Sequence, residues 1–371
     1  MFLVKCGEDL RLDHRLETLF SVMNQVYALD PMCRQRKLQL RTYKVIPMTT
    51  CLGLIEWMQR TMTLKEFLQQ AMTNSEYNFY YSNRGPAAAF QHWGLPHQSY
   101  VDLYKKYSWS DTVTAFRSRE NLVPWDLLRR GYLRLSAGPE AYFTLKCNGA
   151  TSHALLCVSH YIAGIGDRHL SNFMIDLDTG NMVGIDFGHA FGSATQFLGV
   201  PELMPFRLTR QIRNLSLPVG EKGLTQGTMI HALHALRTNH DLLLCTMDVF
   251  IKEPSLDWKQ NAIKQSQKQT EQDELQLDQA WYPKQKIAYA RRKLEGHNPA
   301  FITRDELKLG HSRSKGFDHF VRVVMGDSKH DIRAQLGPSG LTVDQQVACL
   351  LNQATDPNLL GRVWIGWEAW M

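Results

Sequence analysis

Residues 164–188 read GIGDRHLSNFMIDLDTGNMVGIDFG, and no other stretch restricts the fold as much. Gly164 follows an apolar run, SHALLCVSHYIAGIG, whose composition predicts a buried helix stopped at that glycine. A polar loop comes next. A short strand at Phe173 to Ile175, a turn at DTGN and a second strand at Met182 to Ile185 then form a hairpin. Asp167 and Asn172 lie five residues apart, and Asn172 and Asp186 fourteen. A hairpin of that length returns its ends to one place, so Asn172 and Asp186 can face a single point.

Around this stretch, 371 residues suffice for two ordinary domains with a sizeable core. Hydrophobic content of 44% and charged content of 21% place the chain among globular proteins. The net charge of +6 suits an anionic ligand such as a nucleotide. No dense Lys/Arg block signals a nucleic-acid surface. The seven cysteines, Cys6, Cys33, Cys51, Cys147, Cys157, Cys245 and Cys349, contain no Cys-x-x-Cys pair. They read mostly as small core residues of a reduced, intracellular protein. No 18-residue apolar run predicts a membrane span, and MFLVKCGEDL lacks the apolar centre of a secretory signal.

The order of elements predicts an α+β chain. FLVK (Phe2 to Lys5) reads as the end of a strand, and Leu12 to Tyr27 as a helix with one buried face. LQLRTYKVIP (Leu38 to Pro47) and LGLIEWM (Leu52 to Met58) read as strands of an antiparallel hairpin. Thr63-x-x-Glu66 opens a helix through Met72, and Thr342-x-x-Gln345 one through Ala354. Residues 83–98 read as an irregular loop, and 100–164 as helical, with Pro124 in the first turn of one helix. Lys259 to Asp278 reads as a solvated helix or flexible insert. A small strand-plus-helix lobe, a connector near Glu56 to Arg60 and a larger helical lobe make a two-lobed plan with the ligand site in the cleft.

Asn172 and Asp186 offer hard oxygen ligands suited to Mg²⁺ bridging phosphates. Asp167 beside them can accept a proton from an attacking hydroxyl. The arrangement resembles that of protein kinases: a catalytic-loop Asp, an Asn five residues on, and a metal-binding Asp-Phe-Gly, here Asp186-Phe187-Gly188. The order differs, because this loop runs Asp167-Arg168-His169 where kinases usually run His-Arg-Asp. His169 is thereby free to reach the transferring phosphate. The alternative is a capped turn in which Asp167 and Asn172 bond backbone only. Lys5 is the candidate phosphate-binding cation, with Glu8 or else Glu17 as its acid, against the alternative of a solvated strand tip. Trp57 either stacks on a purine or fills the space between lobes.

Five motifs in order, KCGEDLRLD, GLIEW, GIGDRHLSN, IDFGHAFG and PFRLTR, resemble the phosphatidylinositol-3-kinase-related protein kinases. The tail QATDPNLLGRVWIGWEAWM resembles the short FATC domain of that family. The resemblance implies a two-lobed, lipid-kinase-like α+β fold with an incomplete N-lobe over 1–58, a helical C-lobe over 59–339 and a FATC-like domain over 340–371. It implies ATP and Mg²⁺ as cofactors, with Lys5 and Glu8 at the phosphates. Tyr43, Ile55, Trp57, Met58, Met174 and Ile185 would line the adenine pocket, Met58 through its backbone. Asp167 and His169 would be catalytic, and Asn172 and Asp186 would hold the metal. The activation segment would run from Asp186 to about Pro205.

Protein Ser or Thr followed by Gln would be the substrate, in DNA double-strand-break repair by end joining, in the nucleus. DNA ends and the Ku heterodimer would be partners of the full-length protein through regions outside this chain. Two strands and a phosphate-covering loop are expected before Lys5. Here Cys6 and Leu12 replace the Gly and Gln usual in the family's lysine motif. A lipid kinase of the phosphoinositide class and a catalytically inert fragment are the alternatives. The first would be expected to carry basic residues in GHAFGSATQFLGVPELM, which has none. The tail tryptophans Trp364, Trp367 and Trp370 either pack on the large lobe or anchor at a membrane interface.

Overall fold

A computed structural model describes residues 1–88, 108–251, 281–312 and 316–371. The apolar run before Gly164 forms the last half of a long helix, Pro139–Ala163, and every residue from Ser152 to Ala163 is buried. Gly164 closes it at φ 60°, the left-handed cap that glycine adopts without a Cβ penalty. Everything else is arranged about this rod. Before it come β1 (Phe2–Cys6), α1 (Arg11–Leu29), α2 (Pro31–Gln35), β2 (Val45–Thr49), β3 (Leu52–Glu56), β4 (Thr61–Thr63), α3 (Leu64–Ala71), α4 (Asn74–Tyr80), α5 (Trp109–Glu120) and α6 (Leu127–Leu135). The rod is α7. After it come β5 (Phe173–Asp176), β6 (Met182–Gly184), α8 (Ser193–Phe197), α9 (Arg210–Leu215), α10 (Leu224–Thr238), α11 (His240–Ile251), α12 (Trp281–Leu294), α13 (Pro299–His311), α14 (Phe317–Met325), α15 (Ile332–Gln335), α16 (Val343–Thr355) and α17 (Pro357–Leu360).

Two small antiparallel sheets meet at the connector. The first has the order β1-β3-β2, with Lys5 opposite Gly53 and Ile55 opposite Val45. The second has the order β4-β5-β6, with Thr63 opposite Met174 and Phe173 opposite Gly184. Residues 57–60 join β3 of the first sheet to β4 of the second. The buried face of α1, including Leu16, Leu19, Phe20 and Met23, packs on β2 and reaches α10 and α11 of the larger lobe. The α7 rod packs against α10, β6, α6 and α12. Both expected capping boxes form, at Thr63/Glu66 and Thr342/Gln345.

Three local expectations are corrected. Residues 38–44 are not a strand, although Leu38, Leu40 and Tyr43 are buried; the spacing slips from two to three between Leu40 and Tyr43. Side chains of α1 replace the missing neighbour: Asn24 bonds both Leu40 backbone groups at 2.8 and 2.9 Å, and Glu17 accepts the Tyr43 N–H. Pro124 lies ahead of its helix, which starts at Leu127, and its carbonyl accepts from Gln211 Nε2 at 2.6 Å. Cys33, Cys157 and Cys349 are core residues, but Cys6, Cys51 and Cys245 are exposed and Cys147 is half-buried, all as free thiols. The 259–278 reading, and those parts of the 83–98 and 100–164 readings that fall in 89–107, lie outside the described residues. Among those described, no helix is long and apolar enough to cross a membrane.

Trp367 and Trp370 are buried at 1% and 4% exposure, so the tail packs on the large lobe; Trp364 is exposed.

The Gly164 cap makes a sharp stability prediction. A Cβ there would lie 2.6 Å from the Gly192 nitrogen, at a φ that L residues avoid. Gly164→Ala is expected to destabilise the chain by about 1–3 kcal/mol, read as a lower urea midpoint. Gly227, inside α10 with nothing within 4 Å of an added Cβ, should behave oppositely. Gly227→Ala is expected to stabilise by about 0.5–1 kcal/mol.

Candidate active site

The loop after α7 is zipped to the segment after β6. Phe191 N–H donates to the Ala163 carbonyl, Gly192 N–H to that of Gly164, and Gly166 N–H to that of His189, each at 2.8 Å. Arg168 completes the junction from inside. Its side chain is fully buried and donates to the carbonyls of Gly166 at 2.9 Å, Ile185 at 2.9 Å, and Asp186. The guanidinium also lies over the Phe187 ring, 5.7 Å from its centroid. Catalytic loop and Asp-Phe-Gly are thus one body.

The polar residues singled out in the sequence project from that body. Asp167 and Asp186 both sit at φ 57°, in the left-handed region. Sparsely populated backbone of this kind concentrates at functional sites, and Asp tolerates it better than most residues. Asn172 Nδ2 donates to the Asp167 carbonyl at 2.7 Å, which leaves the amide oxygen as its ligating atom. The hairpin returns as expected, with Ile185 N–H on the Asn172 carbonyl at 3.1 Å. His169 Nδ1 accepts the Ser171 N–H at 3.3 Å, so the neutral ring carries its proton on Nε2. Burial lowers the pKa of His169; the Asp167 charge opposes this, and Arg168 and Arg207 reinforce it.

Across the cleft, Lys5 Nζ lies 2.5 Å from Glu8 Oε2. Burial pulls the Lys5 pKa down, but the Glu8 bond and the charges of Asp186 and Asp13 outweigh it and leave the ammonium raised. Glu17 is not the partner of Lys5. It is buried beneath Tyr43, where burial pushes its pKa up to about 8. Tyr43 is buried and stacks on Phe187 with centroids 6.5 Å apart, at the back of the site. Ile55, Met58, Met174 and Ile185 are partly buried against the core around the connector, and the Met58 carbonyl accepts from the Thr61 hydroxyl at 2.8 Å. Trp57 is 51% exposed, so it does not fill the space between lobes; its ring is open to a ligand.

Four residues of the site were not read from the sequence. Asp13 accepts the Phe187 N–H at 3.1 Å and ties α1 to Asp-Phe-Gly. Burial raises its pKa, and the neighbouring Asp186 charge adds to that. Arg168 was legible only as the middle of a motif. Glu202 and Arg207 are charged residues inside the apolar run GVPELMPFRLT, and their burial at 5% and 0% exposure is the signal that pattern carries.

The donor set suits a magnesium nucleotide. Among the described residues no cluster of three or more His, Cys, Asp or Glu side chains forms a self-sufficient metal cage. One carboxylate and one amide oxygen would be a sufficient protein share for Mg²⁺, which keeps waters and shares its shell with substrate phosphates.

Comparison with known proteins identifies the family. The family model for phosphatidylinositol 3- and 4-kinases matches residues 1–260, and that for the FATC domain matches 340–371. The DNA-dependent protein kinase catalytic subunit of Gallus gallus is 56% identical over 381 aligned positions, and that of Dictyostelium discoideum 40% over 385. The serine/threonine-protein kinase tel1 of Schizosaccharomyces pombe is 30% identical over 376. These alignments cover 99–100% of this chain but 9–12% of the relatives, so the chain spans about a tenth of their length. The solved FAT and kinase domain of CtTel1 superposes with a TM-score of 0.65 at 24% identity, over 100% of this chain and 22% of that one, which shows the same fold. The chain belongs to the phosphatidylinositol 3- and 4-kinase family, in the branch of the related protein kinases that carry a FATC domain.

Proposed function

We propose that this chain is the catalytic region of a Ser/Thr protein kinase that transfers the γ-phosphate of ATP to protein hydroxyls, with Gln after the acceptor. The observation that supports this reading is the Arg168-held junction, which joins the loop of Asp167 and Asn172 to Asp186, whose charge acts on Lys5. Asp167 would accept the proton of the attacking hydroxyl. Neutral His169 would donate its Nε2–H to a phosphoryl oxygen. Lys5, steadied by Glu8, would neutralise phosphate charge, and Tyr43, Ile55, Trp57, Met58, Met174 and Ile185 would enclose the base. Asn172 and Asp186 would hold Mg²⁺, which when bound neutralises charge building on the phosphates.

The division at residues 58 and 339 into N-lobe, C-lobe and FATC-like tail belongs to the same reading. So do a nuclear location, a role in end joining during DNA damage repair, and DNA ends and Ku as partners of a longer protein. The name of the Gallus gallus relative, a DNA-dependent protein kinase catalytic subunit, supports the link to DNA. A lipid kinase is disfavoured by an activation segment without Lys or Arg.

Incubation of the chain with MgATP and a Ser-Gln peptide tests the proposal; transfer to Ser supports it. Nucleotide binding without transfer to peptide or phosphoinositide would instead favour the inert-fragment reading. Asp167→Asn is expected to lower kcat by ~10²-fold or more with MgATP affinity retained, since it removes a proton acceptor and little else. Asp186→Ala should weaken Mg-dependent ATP binding itself, measured by calorimetry. Equal loss of affinity in both would make Asp167 a structural residue.

The His169 environment sets a pH dependence. Its folded pKa is depressed, so the neutral form is present above the ordinary value near 6.5 and is lost as pH falls through the lower folded value; protonated Nδ1 can no longer accept the Ser171 N–H, and the ring loses the contact that aims its Nε2–H at the phosphoryl oxygen. The kcat profile is expected to hold between pH 7 and 6.5 and fall below that. His169→Gln should lack that limb, and the difference between the two profiles cancels titration of the nucleotide.

A further inference from the structure

The loop bearing Asp167 is held on its far side by a residue with no place in the chemistry above. Glu202, sixteen residues beyond Asp186, is buried at 5% exposure beneath the catalytic loop. One carboxylate oxygen accepts the Asp167 backbone N–H. The other accepts the indole N–H of Trp367 in the tail, at 3.0 Å. Glu202 is itself fixed by α8, where Thr195 Oγ1 donates to its carbonyl at 2.7 Å and its N–H reaches the Ala194 carbonyl at 3.4 Å.

The approach of the carboxylate depends on Gly166. A Cβ at that position would lie 3.1 Å from Glu202 Oε2 and 2.3 Å from the Ala194 Cβ. The loop is therefore built to admit this side chain at the residue before Asp167. Asp167 at φ 57° is in a conformation an L residue leaves unless something holds it. The Asp167 N–H donates to a buried carboxylate oxygen, where no water competes for the bond. Trp367 fixes the other oxygen, and Arg207 fixes Trp367 in turn: it donates to the Trp367, Glu368 and Met371 carbonyls at 2.6, 2.8 and 3.0 Å, with its guanidinium 4.4 Å from the Trp367 ring centroid.

We infer that Glu202 is a positioning residue for phosphoryl transfer: one carboxylate, shared between the Asp167 N–H and the Trp367 indole, holds the proton acceptor in its left-handed backbone and makes its orientation depend on the tail. This rests on the kinase reading above for its effect on rate, but not for its effect on the loop. The two oxygens serve two donors, so a carboxamide cannot replace them. Gln offers one oxygen, and its NH₂ would face an N–H.

Two variants of the full chain test this. Glu202→Gln and Trp367→Phe are expected to raise hydrogen exchange at the Asp167 amide by about tenfold or more. They should lower kcat up to ~10²-fold, the scale of a small misplacement of a catalytic group. KM for ATP and the affinity for MgATP should stay within about twofold, because Lys5 and Asp186 are held by other contacts and the Asn172 backbone is tied to the Ile185 N–H, a split that general loosening would not give. In an Asp167→Asn background, Glu202→Gln should cost little further rate, since its effect passes through that residue. Unchanged exchange at Asp167 in Glu202→Gln overturns the inference whether or not the chain is active. So does a full further loss of rate in the Asp167→Asn background, or an equal loss of MgATP affinity. If the unaltered chain transfers no phosphate while exchange responds as expected, the kinase reading fails and the loop-holding role stands.

Discussion

A cation buried away from water must be surrounded by acceptors, and Arg168 draws its acceptors from both halves of the site. Its guanidinium takes carbonyls from the loop before Asp167 and from the end of the hairpin, and lies over Phe187. Burial alone lowers its pKa, and the charges of Glu202, Asp186 and Asp167 oppose this. Removing water makes each of those carbonyl bonds matter more, because an unpartnered buried charge is far costlier than an exposed one. The loop and the Asp-Phe-Gly segment cannot separate without stranding that charge. This explains how short, irregular segments hold three polar groups in register without belonging to regular secondary structure. The same cation faces Phe187, which is stacked against Tyr43 and edge-on to Phe20 of α1, so the smaller lobe is packed onto the junction as well.

The tail closes the other side of this junction. Arg207 is the counterpart of Arg168 one layer further out, fully buried and committed to carbonyls at the end of the chain. It also reaches the Arg168 carbonyl at 3.4 Å. Glu368 accepts from Tyr80 at 3.1 Å and from Lys65 at 3.2 Å, and Trp370 donates to Tyr80, which ties the tail to α3 and α4. The tail is therefore part of the core of the larger lobe. A separate module resting on a surface would keep its charged residues in water, whereas Glu368 is buried at 2% exposure.

What the sequence disclosed and what it hid divide along the range of the interactions. Caps, the α7 stop at Gly164 and the hairpin after Asn172 are local, and each follows from residues a few positions apart. The Asp167, Asn172 and Asp186 cluster was legible for the same reason, because one hairpin closes it. The 38–44 segment misled because its alternating pattern breaks after Leu40 and hydrogen-bond partners at Leu40 and Tyr43 are side chains of a helix. Alternation reports which face is buried, not what pairs with the backbone. Asp13, Glu202 and Arg207 were hidden because each acts across the fold. Asp13 meets Phe187 over 174 positions, and Glu202 meets Trp367 over 165. Charged residues within apolar runs are the trace such contacts leave, but the trace does not name the partner.

The charges around the activation segment bear on what kind of hydroxyl the site takes. The segment itself has no Lys or Arg. Among the described residues, two cations beside it are turned inward: Lys286 Nζ donates to the Phe191 carbonyl and to Gln196 Oε1 at 2.5 and 2.7 Å, and Lys293 lies 3.6 Å from Glu306. Burial brings the Lys286 pKa down to about 7, so even its charge is weakened at neutral pH. These cations brace the segment from beneath and offer nothing to a phosphorylated head group approaching from the cleft. A lipid head group carries several negative charges that water would have to release, and only exposed cations in this segment could replace that hydration. A neutral side-chain hydroxyl on an extended peptide makes no such demand, and a braced segment without Lys or Arg is compatible with it.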